Sequence, residues 1–86
     1  MTLKELNKIL APAFMNIRIV DAGLSNIYQK IVSQLKETGN IIKEDNQSIT
    51  VSRFTAITCD ELMNAEIYQI CPNIDSADDS IILQYK

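Results

Sequence analysis

The first 21 residues change hydrophobic period, and that change restricts the fold more than any other feature of the chain. Leu3, Leu6, Ile9 and Leu10 recur at i, i+3, i+6 and i+7, the spacing of one helical face. Pro12 follows, and the residue before a proline is pushed out of the α region, so the helix is predicted to stop there. From Phe14 to Asp21 the period becomes two. Met15, Ile17 and Ile19 point one way and Asn16 and Arg18 the other, the pattern of a half-buried strand. A chain that opens in this way is neither an all-helical bundle nor an all-β sandwich.

The helix carries its own start signal. Thr2 and Glu5 form a Thr-x-x-Glu capping box, in which each side chain accepts from the other residue's backbone N–H. Ala22-Gly23-Leu24-Ser25-Asn26 then has turn composition, with Gly23 free to take positive φ. Two periods fit residues 27–38. Ile27, Tyr28, Ile31, Val32 and Leu35 share a helical stripe that Ser25 or Asn26 would cap and Gly39 would end. Residues 27–32 are also β-branched and aromatic enough for a strand, although the window as a whole favours the helix.

Residues 40–43 and 48–52 flank Glu44-Asp45-Asn46-Gln47 as a hairpin, with Ile49 and Val51 inward. Residues 53–57 lead out of it. Thr58-Cys59-Asp60-Glu61 reads as a second capping box and opens a short helix. Residues 65–71 form a strand whose pairing Pro72 stops, residues 73–80 form an acidic loop, and residues 81–85 close the sheet. Eighty-six residues bury only about 60 per cent of the unfolded surface, enough for one core. The expected fold is therefore a single α+β domain. It has an antiparallel sheet of three to five strands, an N-terminal helix and one or two further helices.

Composition narrows the chemistry. No histidine is present, which removes the commonest general base, the commonest metal ligand and every Ser-His or Cys-His pair. Glu44-Asp45 and Asp60-Glu61 are adjacent in sequence, so their side chains diverge and neither makes a two-carboxylate site. No catalytic residue is assigned. Cys59, in the first turn of the expected helix, would gain thiolate character there, but two neighbouring acids oppose it. Cys59 and Cys71 are too few for a disulfide scaffold and read as buried thiols.

The acidic loop holds Asp75, Asp78 and Asp79. A calcium loop needs alternate acids, a central Gly and a closing Glu, and residues 73–80 have Ala77 in the middle with neither Gly nor Glu. No metal and no cofactor is expected. Tyr28, Tyr68 and Tyr85 with Arg18 and Arg53 offer the parts of a base-stacking surface. The net charge of −3 and the lack of basic runs between the rings argue against nucleic acid as a partner. Apolar runs are far shorter than the roughly 20 residues that cross a bilayer, and the N-terminus lacks a signal-peptide core, so a cytoplasmic protein without membrane contact is expected.

Three stretches resemble small accessory proteins of unassigned function carried by bacterial prophages and other mobile elements. These are Thr2-Leu3-Lys4-Glu5-Leu6, Ile17-Arg18-Ile19-Val20-Asp21, and Leu62-Met63-Asn64-Ala65-Glu66-Ile67 running into the acidic loop and a last apolar strand. Residues 27–47 depart from that pattern by their length. The resemblance implies a compact helix-plus-sheet domain that acts by occupying another protein's surface, defence machinery included; it transfers no functional residue. The expected role is non-enzymatic protein binding through Asp75, Asp78 and Asp79 beside Tyr68 or Tyr85, since aromatics next to charges both anchor and steer. The alternative is a structural component that forms homo-oligomers through an exposed edge strand.

Overall fold

The computed structural model describes residues 1–10, 12, 14–21, 23, 26–72 and 80–85. Along the chain run α1 (Leu3–Leu6), β1 (Asn16–Asp21), α2 (Asn26–Thr38), β2 (Ile41–Asp45), β3 (Ser48–Ser52), α3 (Arg53–Ile57), α4 (Asp60–Asn64), β4 (Gln69–Pro72) and β5 (Ser80–Tyr85). The fold is an α+β domain whose described strands form a five-stranded sheet in the order β2-β3-β1-β5-β4.

Strands β2, β3 and β1 pair antiparallel, as do β4 and β5, but β5 runs parallel to β1. The sheet is thus mixed, whereas a wholly antiparallel one was expected, and β5 lies inside it with β4 on the edge. That placement is set by the long connections between strands, which leave no local pattern; within β5, Ile81 and Leu83 enter the core while Ile82 is half-buried on the other face.

Register shows how the core is built. Ile17 stands between Val51 and Ile81, and Ile19 between Ile49 and Leu83, so these six side chains share one face. All are buried, together with Leu3 and Leu6 of α1, Tyr28, Ile31 and Leu35 of α2, Ala56 of α3 and Leu62 of α4. The helices therefore lie on that face, each buried Leu or Ile adding about 1.5–3 kcal/mol. The other face, with Arg18, Val20, Thr50, Ile82 and Gln84, adds no residue to that cluster.

The stripe from Ile27 to Leu35 settles as a helix. Gly39 ends it at φ 72, a left-handed conformation that a Cβ would strain. The Thr2–Glu5 capping box forms as expected, although α1 is a single turn that ends before Ile9, which is exposed. Met15 lies before β1 and is 45% exposed, not inward. Gly23 adopts a near-extended φ of 159, and its N–H donates to Asp21 Oδ1 at 3.1 Å.

Further differences come from side chains that reach across the chain. Glu44 and Asp45 belong to β2, leaving Asn46-Gln47 as a two-residue turn. Both acids pair with β3, opposite Ile49 and Ser48, and their side chains meet bases: Lys36 of α2 pairs with Glu44 at 2.8 Å and Arg18 of β1 with Asp45 at 3.7 Å. Thr58 is not the N-cap of α4 but the C-cap of α3, where its hydroxyl donates back to Thr55 O at 2.7 Å. The cap of α4 comes instead from Gln34 on α2, whose Oε1 accepts from Glu61 N at 3.1 Å and from Cys59 Sγ at 3.0 Å. Strand β4 starts at Gln69, later than the expected residue 65, and pairs through Pro72, opposite Ile81. Among the described residues three helices follow the first, where one or two were expected, because residues 53–57 form α3.

Candidate functional site

Of the residues singled out as a contact surface, the structure describes Tyr68 and Tyr85. Asp75, Asp78 and Asp79 lie outside the described residues. Tyr68 is 59% exposed just before β4, where its N–H donates to Gln84 O at 2.8 Å. Tyr85 is the correction: it is fully buried on the helix-covered face, in step with Ile81 and Leu83. Its hydroxyl donates to Leu62 O at 3.4 Å, and burial raises its pKa above the usual tyrosine range. A ring in that position packs the core instead of lying at the surface.

The parts of a base-stacking surface are separated. Arg53 is turned inward and braces the segment after α1. Nε donates to Asn7 Oδ1 at 2.9 Å, Nη2 to Asn7 O at 3.2 Å and Leu10 O at 3.1 Å, and Nη1 to Phe14 O at 3.3 Å. Arg18 shares its guanidinium between Asp45 and the Ser48 hydroxyl. Cys59 precedes α4 as its N-cap, is buried, and donates to Gln34; burial raises its thiol pKa, with the nearby Glu61 and Asp60 charges adding to the rise. Cys71, partly buried, stands opposite Ile82 on β4. Among the described residues no group of three or more Cys, Asp or Glu side chains is placed to hold a metal ion.

What the fold does assemble is an apolar groove beside α3. Ser52 caps this helix by accepting from Thr55 N at 3.1 Å, and Arg53 N donates to Met15 O at 2.9 Å, so α3 is held against the residues preceding β1. Of its five residues only Ala56 is buried. Phe54 and Ile57, one turn apart, face outward at 69% and 42% exposure. With Met15, Pro12, Asn7 and Arg53 they line a groove of about 360 Å³. The Arg53 hydrogen bonds shape one wall by fixing Asn7 and the carbonyls of Leu10 and Phe14.

A larger depression of about 860 Å³ lies at the β2–β3 hairpin, lined by Arg18, Val20, Glu44, Asp45, Asn46, Gln47 and Ser48. It is open and polar, and Arg18, Glu44 and Asp45 are already engaged in ion pairs. The groove beside α3 is different in kind, because apolar side chains grouped at a surface gain from being covered. No expectation placed Phe54, Met15 or Ile57 in a binding site; Met15 was expected on the inward face of β1 and residues 53–57 only as a lead-out from the hairpin. The signal was Ser52 followed by an i, i+3 apolar pair, Phe54 and Ile57, too short to register as a stripe.

Fold and groove together define a two-layer α+β domain, helices on one sheet face, with an apolar groove at the end of its third strand. Comparison with models of known protein families, with curated proteins and with solved structures found no match. Among the described residues no helix is long and apolar enough to cross a membrane.

Proposed function

We propose that this chain is a non-enzymatic protein-binding protein that covers a partner's surface through the groove formed by Phe54, Ile57, Met15 and Pro12. The observation that carries this reading is the exposure of Phe54, an aromatic side chain held on a capped helix without contributing to the core. Aromatic anchors beside a pocket are what protein interfaces use for most of their binding energy. Tyr68, exposed just before β4, and the acids Asp75, Asp78 and Asp79 belong to the proposal as further contacts, separate from the groove, that steer approach. A non-catalytic role is supported by the lack of histidine, by the raised pKa of the buried Cys59 thiol, and by the pairing of Glu44 and Asp45 with basic side chains. A cytoplasmic setting and an origin in a phage or mobile element, with blockade of a host defence protein as one form of action, belong to the same proposal through the resemblance described above.

A second reading, self-association in a larger assembly, is favoured by the same patch, since it presents both a knob, Phe54, and a groove. The sheet edges support it less. Strand β2 carries Lys43, Glu44 and Asp45 with an irregular register between Ile41 and Lys43, and β4 is four residues long and ends in a proline. Both are features that discourage strand-to-strand pairing between copies.

A photo-crosslinking residue at position 57, compared with one at the exposed Glu37 of α2, tests the proposal in producing cells. The expected outcome is a discrete adduct with a second protein from position 57 that is lost in Met15→Asp, and none from position 37. An adduct with a second copy would select the self-association reading. The same adducts from both positions, or none from 57, would overturn both.

A further inference from the structure

We draw no further inference here: the strongest candidate, the half-buried sheet face around Arg18, Val20, Ile82 and Gln84, carries nothing because Arg18 is already engaged and nothing among the described residues shows what covers that face.

Discussion

Helices α2 and α3 use apolar residues in opposite ways. The thirteen residues of α2 turn Tyr28, Ile31 and Leu35 into the core and leave Lys30, Lys36 and Glu37 outside. In the five residues of α3 the apolar side chains are divided, Ala56 inward and Phe54 and Ile57 outward. An amphipathic helix of the first kind is explained by the fold it stabilises. For α3 the fold accounts for Ala56 and Arg53 only, and the outward residues call for a cause elsewhere. The contrast is a claim about energies: substitution in α2 harms folding, while substitution on the outer side of α3 harms association.

The largest effect is expected in α2. Leu35→Ala removes a fully buried side chain and should cost about 2–5 kcal/mol, read as a lower denaturant midpoint at unchanged slope. A cost below about 1 kcal/mol would blur the contrast between the helices. Arg53→Lys comes next, at about 2 kcal/mol. A single ammonium cannot reproduce the fork that reaches Asn7, Leu10 and Phe14 together. Faster amide exchange in residues 7–10 would accompany that loss and show the groove wall loosening.

Tyr85→Phe sharpens the account of the core. It should cost about 1 kcal/mol near neutral pH, for the hydrogen bond to Leu62 O. The sign of its pH dependence follows from the raised pKa. Above about pH 10 the unfolded chain releases the phenolic proton while the folded chain retains it, so wild-type stability falls as pH rises. The Phe variant should lose less stability over that range. Tyr28, raised chiefly by its own burial, leaves a residual slope in both proteins. Parallel stability–pH curves would show that Tyr85 is not held protonated by the fold. Gln34→Ala should cost somewhat less, about 0.5–1 kcal/mol, and hydrogen exchange should localise the change to α4, where Glu61 N–H loses its acceptor.

Those residues also show what the sequence could and could not reveal. Period and caps made α2 legible, since Ile27, Tyr28, Ile31, Val32 and Leu35 mark one face and Gly39 is suited to the stop. Strands β1 and β3 were legible through Ile17, Ile19, Ile49 and Val51 for the same reason. The parallel placement of β5 beside β1 was not, because strand order depends on long connections that leave no local pattern. The α4 cap was hidden too: its acceptor, Gln34, lies 27 residues before Glu61, so the local Thr58-x-x-Glu61 pattern suggested the wrong partner. Tyr85 was legible and misjudged. It shares the two-residue period of Ile81 and Leu83, and that period outweighs its nearness in sequence to acids. Phe54 escaped because five residues with one buried side chain make no stripe.

The central claim is that Phe54 serves association and not the fold, and Phe54→Asp tests it most directly through denaturant unfolding measured beside the crosslinking from position 57. An acid in the first turn of α3 suits the helix dipole, so the substitution brings no penalty of its own there. The account expects an unfolding free energy within about 0.5 kcal/mol of wild type together with loss of the crosslinked adduct. A destabilisation of about 2 kcal/mol or more, or an adduct that persists undiminished, would contradict it.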